Sequence, residues 1–237
     1  MTEHTVRAYD EDLAQLKTTL AQMGGLVEHQ LDTAIDALVR RDTALADRVI
    51  QGDEKIDALD HQVEEKAILT IARRQPVARD LREIMVAIRV ASDLERIGDL
   101  AKNTAKRTHA LSDAVPRRLM AGFTRMGRLA QEELKNILDA YARSDSEKAL
   151  QVWRSDEDLD ALYNSIFREL LTYMMEDPRN ITLCTHLLFG AKNLERIGDH
   201  ATNIAENIYF LINGKPIAED RPKKDVTAMM NPAPPTG

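Results

Sequence analysis

Leu94-Glu95-Arg96-Ile97-Gly98-Asp99 occurs again as Leu194-Glu195-Arg196-Ile197-Gly198-Asp199, and 195 − 95 places the copies 100 residues apart. The match extends through Ala91/Ala191, Ala101/Ala201 and Asn103/Asn203. A string of this length does not recur by chance, so the chain reads as two related halves. In a helix, residues four apart share a face, with roughly 6 Å between Cβ atoms. Glu95 and Asp99, and Glu195 and Asp199, therefore set like charges side by side, and something must offset their repulsion.

Outward from the repeat, the apolar residues recur at helical spacings. Leu13, Leu16, Leu20, Met23, Val27, Leu31, Ile35 and Leu38 give a first amphipathic helix from Tyr9 to Arg40. The Gly24-Gly25 pair inside it marks a kink or a close helix crossing, of which simple close packing is the more economical. A second helix runs from Leu45 to Gln75, where Pro76 stops it. The third, about Val77 to His109, carries the first copy of the repeat. Asp113 to Pro116 joins the halves, and the plan restarts through Leu119, Phe123, Met126, Leu134 and Ile137. A fifth helix from Asp145 stops at Asp177-Pro178, and a sixth ends at Asn213-Gly214. The expected fold is all-α: six long helices forming two tandem pseudo-symmetric three-helix bundles. Residues 1–112 and 113–213 form the halves, and 214–237, rich in Pro and Lys, form a disordered tail.

Composition narrows the function. Hydrophobic residues make up 43% of the chain and charged ones 30%, with aromatics at only 4%, the palette of packed aliphatic helices. A net charge of −7 argues against a phosphate-backbone footprint, so direct nucleic-acid binding is not expected. Cys184 is the only cysteine, which excludes an internal disulfide and a cysteine-rich zinc site and favours a reducing compartment. Met1-Thr2-Glu3-His4 opens no basic-then-apolar leader, and no stretch approaches the roughly 20 apolar residues of a membrane span. A protein neither exported nor embedded in a membrane is the expectation, with contact to a membrane protein from the cytoplasmic side left open.

The repeat is wider than its string. Asp53 and Asp57 on the second helix match Asp156 and Asp160 on the fifth, since 156 − 53 and 160 − 57 both give 103. If the second and third helices fold back at Pro76, residues equidistant from the turn lie level. That pairs Asp57 with Glu95 and Asp53 with Asp99. The turn at Asp177-Pro178 likewise pairs Asp160 with Glu195 and Asp156 with Asp199. Glu95 and Asp99 lie on the line of Leu81, Ile84 and Ile88, which the third helix is expected to bury. Buried or half-buried carboxylates need arginine, protonation or a cation. Asn103 and Asn203, one turn further along, add neutral oxygens suited to a hard or borderline cation. Gly98 and Gly198 weaken the helix at both copies, which makes sense where a backbone or ligand comes close.

Against the metal reading stands a plain ion-pair reading, in which Arg96 and Arg196 neutralise the acids. His29 on the first helix and His61 just past Asp57 are candidates to sit beside the first constellation, and each alone reads as structural or exposed. A ferritin-like di-metal enzyme would show Glu-x-x-His, and no histidine of the chain has Glu three residues before it. No nucleophile elbow or Gly-rich phosphate loop is present. A carboxylate-rich metal-dependent enzyme and a purely structural helical scaffold are the alternatives. Arg117, Arg118, Arg125 and Arg128 read first as a solvated face and second as a site for an acidic partner.

Two tandem three-helix units, each with Glu-Arg-Ile-Gly-Asp in its third helix, closely resemble the PhoU family. The resemblance covers residues 10 to 214 and is strongest at Leu94 to Asn103, Leu194 to Asn203 and the Asp53/Asp57 and Asp156/Asp160 pairs. It implies a non-enzymatic, homodimeric, cytoplasmic regulator with divalent or trivalent metal ions on its carboxylate faces; the sequence leaves iron, zinc, manganese and magnesium open. It further implies negative regulation of phosphate uptake and of the phosphate-starvation (Pho regulon) response. The implied partners are the phosphate-transporter ATPase subunit and the phosphate-sensor histidine kinase.

Overall fold

The computed structural model describes residues 2–111 and 117–219, with side chains described over 9–111 and 119–219. The expected joint at Asp113 to Pro116 and the tail beyond 219 lie outside the described residues. Seven α-helical segments follow one another: α1 (Thr2–Arg40), α2 (Thr43–Gly52), α3 (Glu54–Arg74), α4 (Arg79–Arg107), α5 (Arg117–Arg143), α6 (Ser146–Glu176) and α7 (Ile181–Asn213). No strand occurs among the described residues.

Six of these segments would suffice for the expected rods; the seventh arises because the second rod is interrupted at Asp53. Gly52, the poorest helix former short of proline, precedes the break. Asp53 keeps helical angles, but the Ile56 N–H closes on its carbonyl at 2.8 Å, a three-residue turn that tightens the path. α6, with Ser155 at the matching position, runs unbroken.

The two halves repeat each other's local chemistry. Arg41 and Ser144 both take left-handed angles between helices, and the next residue caps the following helix. Asp42 accepts a hydrogen bond from the Leu45 N–H at 2.9 Å, and Asp145 one from the Lys148 N–H at 3.0 Å. α7 ends where Gly214 adopts φ 73°, as its sequence signal implies.

The halves do not stand apart. One hydrophobic cluster draws buried residues from all seven helices, and α4 packs on α7 as well as on α1 and α3. α4 and α7 run antiparallel: Arg82 lies over Phe210, Asp93 meets His200, and Arg107 lies over Phe189. α1 and α5 cross antiparallel at two glycines. A Cβ on Gly24 would stand 2.7 Å from Leu138, and one on Gly127 would stand 2.8 Å from Ile35. Since 127 − 24 and 138 − 35 both give 103, one contact is the pseudo-two-fold image of the other. Gly24 thus serves close packing, while Gly25 faces open space.

Candidate functional site

α3 folds back along α4 in the expected register. Gly98 faces Ile56 and Asp53, with a Cβ there only 3.1 Å from Ile56 Cδ1 and 3.6 Å from Asp53 Oδ1. Asp57 feels the charges of Asp53 and Asp99, and Glu95 those of Asp99, Asp57 and Asp60. The four carboxylates predicted for the first half therefore form one face, which Asp60 extends.

The depth of that face differs from the expectation. Of the expected line, Ile84 is buried, Ile88 half-buried and Leu81 37% exposed, while Ala87, Val90, Ala91, Leu94, Ile97 and Ala101 are buried as well. Because α4 is packed by α1, α3 and α7 together, its buried arc is broad and centred away from the line through Leu81. Glu95 and Asp99 sit half-buried at the margin of this arc, and Asp53 alone of the four is fully buried.

Arg96 touches this face only from its solvent side. Its side chain is 60% exposed and reaches Glu95 only at 3.4 Å and Asp99 at 4.0 Å. The cation among the acids is Lys102, one turn beyond Asp99, whose Nζ donates to Asp99 Oδ1 at 2.5 Å and to Asp53 Oδ2. Burial alone would lower the Lys102 pKa; its hydrogen bonds and charge contacts with Asp53 and Asp99 outweigh that and hold it well above the usual lysine range. Gln30, from α1, completes the face by donating to Asp53 Oδ1 at 2.7 Å and to the Gly98 carbonyl at 3.0 Å. Asp57 and Glu95 lack such support, and burial followed by their acidic neighbours pushes both pKa values up, with Arg96 pulling Glu95 partly back. His61 is exposed beside Asp57 and Asp60; His29 is exposed on α1.

In the second half the same plan is buried more deeply. Asp156, Asp160 and Glu195 are 2%, 3% and 4% exposed, and Asp199 is half-buried. The contact at the second glycine is tighter: a Cβ on Gly198 would lie 2.5 Å from Leu159 Cδ2, against 3.1 Å from Ile56 Cδ1 at Gly98. The same point is 3.2 Å from Asp156 Oδ1 and 3.1 Å from Oε2 of Glu133, a buried acid from α5. Lys192 donates to Glu195 Oε1 at 2.8 Å, but Glu195 Oε2 is buried with no hydrogen-bond partner. Burial pushes the Glu195 pKa up to about 7, with Asp199 and Asp160 adding to the shift and Lys192 opposing it. Arg196 is exposed.

The two asparagines fare differently from the acids. Asn203 turns into the α4/α7 seam, where its Nδ2 donates to Asp93 Oδ1 at 3.4 Å, beside the Asp93–His200 pair at 2.9 Å. Asn103 is half-buried on α4. As the side chains stand, no three of His, Cys, Asp and Glu among the described residues converge on one metal position.

The comparisons with known proteins fit this duplicated architecture. The PhoU domain family model matches twice, over residues 20–108 and 123–208. The chain belongs to the PhoU family. The phosphate-specific transport system accessory protein PhoU homolog of Rhizobium meliloti is 54% identical over 228 residues, covering 96% of each chain. That of Caulobacter vibrioides is 53% identical, covering 95% of this chain and 99% of its own. Among solved structures, PhoU from Pseudomonas aeruginosa superposes with a TM-score of 0.85 at 39% identity, covering 87% of this chain and 100% of that one. The phosphate transport system regulatory protein PhoU from Streptococcus pneumoniae gives 0.81 at 27% identity, covering 89% and 100%. Each family match spans one α1–α4 or α5–α7 unit, so each PhoU domain holds one carboxylate face.

Sequence reasoning did not single out Lys102, Gln30 or Glu133. The signals were present: Lys102 lies three residues after Asp99, and Gln30 and Glu133 are related by the same offset of 103 that links Asp53 to Asp156.

Proposed function

We propose that this PhoU-family chain is an accessory regulator of phosphate transport. It limits phosphate uptake and the phosphate-starvation response by linking the ATPase subunit of a phosphate ABC transporter to a sensor histidine kinase. The observation that carries this reading is end-to-end similarity, above 50% identity, to proteins named as phosphate-specific transport accessory proteins. No helix among the described residues is long and apolar enough to cross a membrane, which suits a cytoplasmic partner that meets membrane complexes at their periphery. The chain works without turnover of its own, as a homodimer whose elongated helical faces engage two partners.

Metal belongs to the proposal too. Glu195, buried with one orphaned carboxylate oxygen among Asp156, Asp160, Asp199 and Glu133, suits a divalent or trivalent cation with oxygen ligands. Bound there, a cation would tie α5, α6 and α7 together and stiffen the surface they present. In cells lacking the protein, a phosphate-starvation promoter reporter should stay on in phosphate-rich medium, and radiolabelled phosphate uptake should rise. Unchanged reporter and uptake would refute the regulatory reading.

A further inference from the structure

Away from the carboxylate faces, a cleft of about 700 Å³ lies where α1, α4, α5 and α7 meet, so both halves wall it. α1 and α4 run parallel beside it, Lys17 meeting Glu83 at 2.6 Å and Gln30 the Gly98 carbonyl at 3.0 Å. The cleft follows α4 from Arg79 to Leu94, about 22 Å of helix. Its two ends differ in chemistry. Lys17, Arg79, Glu83, Tyr141 and Ser144 line the end near the start of α4, whereas Leu20, Val90, Leu94 and Leu138 line the remainder. Gly25 and Glu28 lie at the far end, where a Cβ on Gly25 would meet nothing within 4 Å. At the polar end Lys17 is paired with Glu83, but Arg79 is exposed and makes no ion pair among the described residues. Burial, followed by the charge of Glu83, pushes the Tyr141 pKa up, so its hydroxyl stays protonated.

The pseudo-two-fold image of this cleft is filled. By the offsets of 103 and 100, Leu20 matches Phe123, Val90 matches Gly190 and Tyr141 matches Leu38. A Cβ on Gly190 would stand 3.3 Å from the Phe123 ring and 3.7 Å from Leu38 Cδ2, so these three close on one another. Lys17 and Glu83 match Met120 and Leu183, which pack into the core. The fold can therefore fill this position with apolar side chains, and around the cleft it places a lysine, a glutamate and a tyrosine instead.

We infer that the cleft binds a small amphipathic anion, an apolar chain with one carboxylate head, with the chain along Leu20, Val90, Leu94 and Leu138 and the head at Arg79 and Lys17. The volume falls within the range of small-molecule sites, roughly 300–1,000 Å³, and the apolar walls with polar groups at one end suit a ligand of the same polarity. A carboxylate can take two N–H bonds from one guanidinium, which Arg79 has free to offer. Bound there, the ligand would tie α1 and α4 of one PhoU domain to α5 and α7 of the other. The inference goes beyond the regulatory and metal readings and depends on neither.

The test is isothermal titration of the full-length protein with dodecanoate, kept below its micellar concentration, alongside thermal unfolding. Dodecanoate should bind at about one per chain and raise the unfolding midpoint. Butyrate, which lacks the chain, and dodecyltrimethylammonium, which carries the opposite charge, should each bind at least about ten-fold more weakly. Arg79→Gln should weaken dodecanoate about ten-fold. Lys17→Met with Leu20→Phe and Glu83→Leu, which copies the filled image, should abolish binding, as should Gly25→Leu, which occupies the far end. Arg79 is on the surface, so its variant tests the head group whether or not the filling variants fold. The inference is overturned if dodecanoate does not bind, if the cationic amphiphile binds as tightly, or if Arg79→Gln or the folded filling variants bind dodecanoate as wild type does.

Discussion

Gly198 and Leu159 meet so closely that a Cβ on residue 198 would stand 2.5 Å from Leu159 Cδ2, with Glu133 and Asp156 oxygens just beyond. The matching contact in the first half, Gly98 against Ile56, leaves 3.1 Å. Alanine stabilises an exposed helix position by about 1 kcal/mol relative to glycine, and overpacking a tight contact costs about 1–3 kcal/mol. Gly198→Ala should therefore destabilise the protein by about 1 kcal/mol net, and Gly98→Ala should be close to neutral. Gly25→Ala, with nothing within 4 Å, should stabilise. Urea denaturation of the three variants checks the order, and equal effects at 98 and 198 would contradict the difference in contact at the two glycines.

The division of labour between Arg96 and Lys102 makes a second prediction. Arg96 is largely exposed and only loosely placed against two acids, so Arg96→Ala should change stability by less than about 0.5 kcal/mol. Lys102→Ala leaves the buried carboxylate of Asp53 without its cation and should cost about 2 kcal/mol in chelator-treated protein, discounted for the partial exposure of Lys102. Denaturant midpoints for the two variants provide the comparison. A larger loss at Arg96 would restore the simple ion-pair reading of the repeat.

Much of this architecture was legible because the chain states it twice. Helix ends at Pro76, Asp177-Pro178 and Gly214 follow from residue chemistry, and the hairpin register follows from those turns. The break at Asp53 was not anticipated, although Gly52 was its local signal, because apolar spacing continues across it. The depth of each acid was legible only in part in the first half. It depends on α4 being packed by α1, α3 and α7 together, which is a relation between distant segments. Lys102 carries no signal in the repeated string, because it lies outside it, whereas Arg96 lies inside the string but is largely exposed. Aligning α1 with α5 would have exposed the Gln30/Glu133 difference.

The paired caps allow a test of the pseudo-symmetry itself. Asp42 and Asp145 each accept one backbone N–H, at 2.9 and 3.0 Å, after a residue in the left-handed region. Asp42→Ala and Asp145→Ala should each cost about 1 kcal/mol, by the same mechanism at both joints. Thermal unfolding of the single variants reads this directly. A loss confined to one of them would mean that the halves share a fold without sharing how their helices are started.

At the seam between the halves, Asp93 binds His200 and receives Asn203. Asp93→Ala removes the acceptor for both and should cost about 1–3 kcal/mol, since it leaves polar groups half-buried without their partner. The manganese content of this variant should match wild type, which would separate the seam from the carboxylate faces. A parallel loss of metal would instead make Asn203 part of the site.

The most direct measurement of the account is capture of the two proposed partners. Immobilised full-length protein should retain both the ATPase subunit of the phosphate transporter and the cytoplasmic region of the phosphate-sensor kinase. The Glu195→Gln/Asp199→Asn variant should retain less of both. Retention of neither partner by folded, metal-loaded protein would contradict the adaptor function.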